Sequence, residues 1–363
     1  LKNIDLIFHT AAIPGIWGAA KEFYSINVQG TENIIRACRN NRVRKLVFTS
    51  SPSVVFGKSS LEGVDESTPY PEKYLCEYSR TKALAEKIIL NANDSSLSTV
   101  AIRPHLIWGP AKDFYSINVQ GTENIIGACK SNRVRKLVFT SSPSVVFGQS
   151  SLEGVDESIP YPEKYLCEYS RTKALAEKLI LNANDSNLST VAIRPHLIWG
   201  PGDPHLVPRI LEKAGKNRLV KVGEGKNRVD IIYIDNAVSA HLKAGEALTP
   251  DGNVAGKTYF VSDGEPVILW DWIDQLLKRV GKPIVSRKIS YENAMRLGAL
   301  MEIVYGVLRI KSEPPMTRFL ASQLAKSHYF NISRAINDFG YQPIVPTQEG
   351  MDRLISSLDL SRY

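Results

Sequence analysis

A serine, a tyrosine and a lysine occur twice along the chain in the same arrangement. In the first set, Ser51 follows a short apolar run, and Tyr78-x-x-x-Lys82 opens a segment rich in Ala, Leu, Lys and Glu. Positions i and i+4 of a helix share one face, so Tyr78 and Lys82 are expected to point the same way. The second set consists of Ser142, Tyr169 and Lys173.

Such a trio suits hydride transfer to or from a nicotinamide, because the alcohol or ketone oxygen that reacts must lose or gain a proton. The pKa of a free tyrosine is about 10, and lowering it to about 7 takes roughly 4 kcal/mol. One ammonium about 4 Å away supplies about that much at an effective dielectric constant of about 20. Lys82 or Lys173 is therefore expected to activate its tyrosine as general acid and base, while Ser51 or Ser142 orients the substrate oxygen.

The two sets belong to a long internal repeat. Residues 20–110 return as residues 111–201 with eight differences, of which the exchange of Arg36 for Gly127 is the strongest. Solenoid repeats are only about 20–50 residues long, so we interpret this one as a tandem duplication or a gene-model error that joins neighbouring exons. A selected two-site architecture is the alternative. Because the second set is a copy, it adds no independent support for the chemistry.

The elements that must position these residues alternate between strand and helix. Apolar runs predict strands at 4–8, 45–49 and 99–103, and helical spacing predicts helices at 24–38 and 78–91; those that lie within the repeat recur in the second copy. This order indicates a parallel α/β sheet of the Rossmann type, which binds ligands at the carboxyl ends of its strands.

Beyond residue 201 the pattern becomes mostly helical. We predict short strands at 219–222, 229–234 and 258–261. Helices are predicted at 206–214, 236–248, 269–280, 291–309, 316–326 and 347–358. Asp235 is the expected N-cap of the second of these helices. The predicted domains are an incomplete NAD(P)-binding domain at 1–201 and a substrate-binding region at 202–363 that is partly interleaved with the sheet.

Composition excludes several classes of protein. The chain has 363 residues, 43% hydrophobic and 23% charged, which are globular values. No apolar run approaches the roughly 20 residues of a membrane span. The net charge of +8 could favour anionic ligands such as nucleotide phosphates, but we predict no nucleic-acid partner. The four cysteines lack metal-site spacing, so we predict no metal and reduced, buried thiols in a cytoplasmic protein. They are Cys38, Cys76, Cys129 and Cys167.

Several motifs together resemble those of the extended short-chain dehydrogenases/reductases, in particular the 3β-hydroxysteroid dehydrogenase/isomerase-like branch. They are Leu6-Ile7-Phe8-His9-Thr10-Ala11-Ala12, Asn27-Val28-Gln29-Gly30-Thr31-Glu32-Asn33, Phe48-Thr49-Ser50-Ser51, Tyr78-x-x-x-Lys82 and the segment 103–110. Residues 15–18, 194–203 and 313–318 are similar to those of the 2-alkyl-3-oxoalkanoate reductases of long-chain olefin biosynthesis.

The resemblance implies NAD or NADP as cofactor and a steroid or long-chain lipid substrate with a β-hydroxy or β-keto group. It implies that Asn27 or Asn118 relays protons through water, and it leaves a homodimer possible. The residues expected to line the cofactor are the two tyrosine–lysine pairs together with His9, Ala11, Ala12, Pro104, His105, Pro195 and His196.

Two features of the family are missing from the sequence. The family begins with a strand and a Gly-x-x-Gly-x-x-Gly turn for the pyrophosphate, and no such turn occurs here, nor does the residue that selects NAD or NADP. We therefore expect the sheet to lack its first strands. A non-catalytic remnant or gene-model artefact, and a nucleotide-sugar epimerase or dehydratase, stay as alternatives. Copy two is expected to form the site, because its last loop leads directly into the substrate-binding segment that begins at residue 202, as the order of motifs in the family requires.

Overall fold

The computed structural model divides the chain into two compact units, Leu1–Trp108 and Gly109–Tyr363. The structure describes most of the chain in ten ranges. These are residues 6–9, 11–12, 20–55, 67–74, 76–103, 114–148, 150–203, 206–308, 310 and 314–359.

The first unit contains a parallel three-stranded sheet in the order β1-β2-β3, covered by helices. Its strands are β1 (Leu6–His9), β2 (Lys45–Thr49) and β3 (Ser98–Ile102). Its helices are α1, which joins Ala20–Phe23, a π-helical turn Tyr24–Gln29 and Gly30–Asn40, and α2 (Glu77–Asn91). Alternate residues of β2 are buried, and Leu46 and Phe48 pack with Ile35 and Ile89 of the two helices. The apolar periodicity thus places both helices against the sheet.

The second unit contains the second copy and everything that follows it. Its strands are β4 (Lys136–Thr140), β5 (Leu152–Val155), β6 (Ser189–Pro195), β7 (Ile198–Trp199), β8 (Lys221–Val222), β9 (Arg228–Val229), β10 (Ile232–Tyr233), β11 (Lys257–Val261), β12 (Val267–Ile268), β13 (Lys288–Ile289) and β14 (His328–Phe330). Its helices are α3 (a π-helical turn Ser116–Gln120 followed by Gly121–Ser131), α4 (Glu168–Asn182), α5 (Leu206–Gly215), α6 (Ile234–Ala247), α7 (Leu269–Arg279), α8 (Tyr291–Val307), α9 (Arg318–Ala325), α10 (Ser333–Phe339) and α11 (Thr347–Ser357).

The sheet that carries the second Ser–Tyr–Lys set is parallel and runs in the order β11-β6-β4. All seven residues of β6 are buried, as expected for the central strand of a parallel sheet. A second sheet has the order β12-β9-β14-β5, and the pairs β7–β10 and β8–β13 complete the pairing among the described residues. A mixed α/β fold with parallel sheets confirms the coarse fold class, while the predicted loss of the first strands of the sheet stays a prediction.

The predicted strands and helices of the repeat occur in both copies within about two residues, except that α1 begins at Ala20, four residues before its predicted start. Three other expectations are wrong. Asp235 lies inside the first turn of α6 rather than at its N-cap, because the helix begins at Ile234, two residues before the predicted start, with Tyr233 as its N-cap. The region after residue 201 contains more strands than predicted. Cys76 and Cys167 are only partly buried, because each lies at the N-cap of a helix that starts near the surface.

The domain boundary at residue 201 stays a prediction. Among the described residues, none of the helices has the length and apolar composition needed to cross a membrane.

Candidate active site

Ser142 lies just beyond the carboxyl end of β4. Its hydroxyl caps the 3₁₀ turn Pro143–Val146 by accepting the backbone N–H of Ser144 at 3.2 Å. The same hydroxyl donates to Ser144 Oγ at 2.9 Å. This cap fixes the direction of the serine at the strand end, where parallel sheets bind their ligands.

Tyr169 lies in the first turn of α4 and reaches the same place. Its residue surface is 38% exposed, and its ring meets Phe114 edge-on with ring centroids 6.3 Å apart. Burial of the hydroxyl end raises the pKa of Tyr169, and a hydrogen bond with Ser142 opposes that rise. Desolvation is thus the largest influence on this pKa, and the expected activation of the tyrosine by Lys173 stays a prediction.

Lys173 lies one helical turn after Tyr169 on α4. Its Nζ donates to the Thr140 carbonyl at 2.7 Å and lies 4.3 Å from the centroid of the Phe139 ring. Burial lowers the pKa of Lys173 to about 8, and the carboxylate of Glu177 opposes this change. The lysine thus carries its charge at neutral pH and begins to lose it in mildly alkaline solution.

Asn118 belongs to the π-helical turn that precedes the main part of α3. Its Nδ2 donates to Thr172 Oγ1 at 2.9 Å, and Thr172 in turn donates to the Glu168 carbonyl at 2.8 Å. A π-helical turn widens the helix and often marks a functional position. Here it ties α3 to the helix that carries Tyr169 and Lys173.

Pro195 ends β6, and His196 follows it. The His196 ring is buried, and its Nε2 lies 2.6 Å from Nδ1 of His328, whose Nε2 lies 2.9 Å from the Gln323 carbonyl. His328 therefore donates from Nε2 and accepts from His196 through Nδ1. Burial lowers the pKa of both histidines, and His328 lowers that of His196 further, so both rings are neutral at neutral pH. The role of Pro195 and His196 toward a cofactor stays a prediction.

The first unit repeats this local geometry. Lys82 Nζ donates to the Thr49 carbonyl at 2.6 Å, and Asn27 Nδ2 donates to Thr81 Oγ1 at 3.1 Å. Ser51 Oγ lies 2.9 Å from Ser53 Oγ, and Tyr78 lies in the first turn of α2. Burial lowers the pKa of Lys82 to about 8, as for Lys173. The copies differ in exposure, because Lys82 is buried whereas Lys173 is only half-buried.

The remaining predicted cofactor residues belong to the first unit. His9 ends β1, where its Nε2 lies 2.9 Å from Thr31 Oγ1. Burial and the charge of Lys82 lower the pKa of His9 to about 4, so this ring is neutral at neutral pH. Ala11 is exposed and Ala12 half-buried. The predicted residues Pro104 and His105 lie outside the described residues.

A charged network behind the second set was missed by the sequence reasoning. The Glu177 carboxylate accepts from Arg194 Nε at 2.9 Å, from Arg194 Nη2 at 2.6 Å and from the Tyr161 hydroxyl at 2.6 Å. The signal that could have found it is a glutamate four residues after Lys173, together with an arginine in a strand otherwise made of apolar and small residues. Within the part of the chain that is described, no cluster of three His, Cys, Asp or Glu side chains could hold a metal ion.

Two solved structures have a similar fold over nearly the whole length of this chain. UDP-glucuronic acid 4-epimerase from Bacillus cereus, in complex with NAD, is 19% identical with a TM-score of 0.57 and covers 98% of this chain and 99% of its own. The structure of gox2253 is 18% identical with a TM-score of 0.60 and covers 97% of both chains. At these identities the likeness establishes the Rossmann-like fold alone.

The sequence comparisons show the family, whose members are oxidoreductases. The profile of the 3-beta hydroxysteroid dehydrogenase/isomerase family matches residues 1–117 and again residues 111–290, once over each copy. The chain belongs to this family.

Curated relatives are similar over about two thirds of the chain. The 2-alkyl-3-oxoalkanoate reductase of Stenotrophomonas maltophilia is 47% identical over 252 residues, which are 69% of this chain and 76% of the relative. The enzyme of the same name from Shewanella oneidensis is 45% identical over 69% of this chain and 67% of its own. The 3beta-hydroxysteroid-dehydrogenase/decarboxylase isoform 1 of Arabidopsis thaliana is 42% identical over 67% of this chain and 57% of its own.

Proposed function

We propose that this chain is an NAD(P)-dependent reductase that converts a β-keto group on a long-chain lipid to the β-hydroxy group, with a 2-alkyl-3-oxoalkanoate as the substrate class. The observation that carries the proposal is the meeting of Ser142, Tyr169 and Lys173 at the carboxyl end of β4 in a chain whose relatives include reductases of that name. A sterol-type substrate is the second possibility within the same reaction, since sterol dehydrogenases are also among its relatives.

The residues of copy two fit the nicotinamide end of the cofactor. The Tyr169 hydroxyl and the Lys173 ammonium are the donors that a ribose and a reacting oxygen require, and both flank the end of the parallel sheet. The bound nicotinamide would supply the hydride.

No Gly-x-x-Gly-x-x-Gly turn occurs in the 363 residues. The loss of two or three hydrogen bonds to diphosphate oxygens, at about 1.5–3 kcal/mol each, would weaken binding roughly a thousandfold or more.

The state of Tyr169 favours the reductive direction. Because burial raises its pKa, the hydroxyl keeps its proton at neutral pH and can give it to the carbonyl oxygen as that oxygen gains negative charge. Ser142 holds this oxygen by a hydrogen bond, and the Lys173 ammonium stabilises the tyrosinate that is left. Asn118, tied to α4 through Thr172, would return a proton to the tyrosine through water.

The decisive experiment separates binding from chemistry and one copy from the other. Fluorescence titration of the full chain with NADPH and NADH measures cofactor affinity, and NADPH consumption with 2-alkyl-3-oxoalkanoates and 3-ketosteroids measures turnover. Tyr169→Phe is expected to lower kcat by roughly 10²- to 10⁴-fold. Tyr78→Phe is the matched control from copy one and should retain the wild-type rate. Equal losses in the two variants, or loss only in Tyr78→Phe, would refute the assignment to copy two.

Failure to bind either coenzyme at millimolar concentration would refute the reductase proposal for this chain and favour the non-catalytic remnant. Turnover of a nucleotide sugar in place of the lipid would favour the epimerase alternative.

A further inference from the structure

Glu177 is fully buried on α4, one helical turn after Lys173 and two after Tyr169. Its partner Arg194 is also buried, with the guanidinium 5.8 Å and 5.0 Å from the ring centroids of Tyr161 and Phe260. Buried ion pairs contribute little net stability, because the cost of removing two charges from water offsets their attraction. The pair therefore needs an explanation other than stability of the fold.

The pair connects the helix of the site to the sheet. Arg194 lies in β6, so its two hydrogen bonds to Glu177 join α4 to that strand. Lys173 joins the same helix to the neighbouring strand β4 through the Thr140 carbonyl. Two charged contacts, one helical turn apart and on adjacent strands, fix both the rotation and the axial position of α4. The directions of the Tyr169 and Lys173 side chains follow from that position.

The contact between Glu177 and Arg194 also fixes where the chain leaves β6. Pro195 directly follows Arg194 and ends the strand, and His196 then turns into the buried pair with His328. Because Arg194 is held on both sides, by Glu177 and by the aromatic rings, the chain leaves the sheet at a fixed place relative to Tyr169. Catalytic rates are sensitive to such placement, since a displacement of about 1 Å can cost roughly a hundredfold.

Glu177 also acts on the charge of Lys173. Its carboxylate stabilises the ammonium and so works against burial, which lowers the pKa of that lysine to about 8. Without the carboxylate, Lys173 would lose its proton closer to neutral pH. A neutral lysine could no longer stabilise a tyrosinate at Tyr169.

We infer that Glu177, held by Arg194 and Tyr161, is a positioning residue of this site, which fixes α4 on the sheet and maintains the charge of Lys173. The inference rests on the proposed reductase function, because it assigns Glu177 to the site in copy two. Copy one offers a matched control, since Glu86 accepts the same hydrogen bonds from Arg103 and Tyr70.

The test replaces both charges together, since removal of one alone would leave the other buried and unpaired. The double variant Glu177→Gln with Arg194→Met is compared with Glu86→Gln with Arg103→Met. The copy-two variant is expected to keep the wild-type circular dichroism, to lose kcat by roughly tenfold to a hundredfold, and to move the alkaline fall of kcat to lower pH. The copy-one variant should retain the wild-type kcat and pH profile. A copy-two variant that folds and has the wild-type kcat and the wild-type pH profile would overturn the inference.

Tyr161→Phe keeps the inference testable if the double variant does not fold. It removes one hydrogen bond to Glu177 and no charge, and it should lower kcat severalfold, with Tyr70→Phe as its control. A wild-type kcat in Tyr161→Phe would count against the positioning role.

A second readout needs neither cofactor nor substrate. Reductive methylation with ¹³C-formaldehyde gives each lysine an NMR signal, and the Lys173→Arg variant assigns the signal of Lys173. The titration midpoint of Lys173 should fall by roughly half a pH unit or more in the copy-two double variant. An unchanged midpoint would overturn the inference whatever the activity. A lowered midpoint in a protein whose wild type reduces no β-keto lipid would instead refute the proposed function and leave the positioning role standing.

Discussion

At the scale of single residues, the chemistry depends on how burial changes the charge of each group. Tyr169 and Lys173 lie one turn apart, yet burial acts on them in opposite senses, raising the pKa of the tyrosine and lowering that of the lysine. Both shifts favour the neutral form. The proposed reduction therefore requires that Tyr169 donate its proton while Lys173 keeps its charge.

The pH dependence of turnover should follow Lys173. Since its pKa is about 8, kcat for reduction is expected to be level below that pH and to fall above it, as the ammonium loses its proton. A kcat profile in buffers of constant ionic strength measures this. Lys173→Arg, whose guanidinium stays charged, should have a lower kcat but no fall in this range. A fall of the same midpoint in that variant would assign the titration to another group.

The stability of the second unit should depend on the protonation of Asp230, at pH values below those at which Lys173 loses its charge. This carboxyl is 1% exposed, and burial, with help from the charge of Asp263, raises its pKa to about 7. A pKa raised on folding stabilises the protonated native form, so the contribution is complete below about pH 4 and is lost as pH rises to about 7. The loss is on the order of 4 kcal/mol.

Asp230→Asn should remove this dependence while its carbonyl still accepts the Phe330 N–H, which Asp230 Oδ2 receives at 2.8 Å. Urea unfolding from pH 5 to pH 8 measures the free energy of unfolding. The advantage of the variant over the wild type should grow up to about pH 7 and then stay constant. Parallel curves for the two proteins would show that Asp230 does not titrate in this range.

At the scale of helices and strands, the sequence could predict what depends on local pattern. The apolar spacing placed α1, α2 and the strands of both copies correctly, and it placed Ser142 and Tyr169 at one end of the sheet. It could not predict β5, because Leu152–Val155 becomes a strand only by pairing with β14, a partner more than 170 residues away. The corresponding segment of copy one lies outside the described residues. The Glu177–Arg194 pair was missed for the same reason, since it joins two elements through their side chains.

Packing between helices gives a prediction at this scale. Gly298 of α8 lies against the N-cap of α9, where an added Cβ would come within 2.6 Å of the Thr317 carbonyl carbon and 2.7 Å of Arg318 N. Because both are backbone atoms, Gly298→Ala should separate the helices and lower the free energy of unfolding by about 1–3 kcal/mol. Gly306→Ala is the matched control in the same helix, with no atom within 4 Å, and should gain up to about 1 kcal/mol. Equal effects in urea unfolding would mean that helix propensity outweighs packing.

At the scale of the whole molecule, a nearly identical sequence is built into two different units. In the first unit copy one pairs with β1, and in the second unit copy two pairs with β11 and is followed by all the remaining elements. Local geometry is therefore a property of the repeat, whereas the strands that pair with each copy differ between the two units. In copy two, His196 contacts His328 and the Glu157 carboxylate accepts the Phe260 N–H, whereas the equivalent residues of copy one, His105 and Glu66, lie outside the described residues.

The two units should respond separately to destabilisation and to cofactor. Ile89 and Ile180 are equivalent buried residues of α2 and α4, and truncation of either to alanine should cost about 2–5 kcal/mol in its own unit. Differential scanning calorimetry of Ile89→Ala and Ile180→Ala then assigns one thermal transition to each unit. If copy two holds the cofactor, NADPH at a hundredfold excess over Kd should stabilise the second unit by about 2.7 kcal/mol. The transition that Ile180→Ala lowers should then move to a higher temperature, and the other transition should not move. A rise of the transition that Ile89→Ala lowers would place the cofactor in copy one, and a rise of both would show that each copy binds.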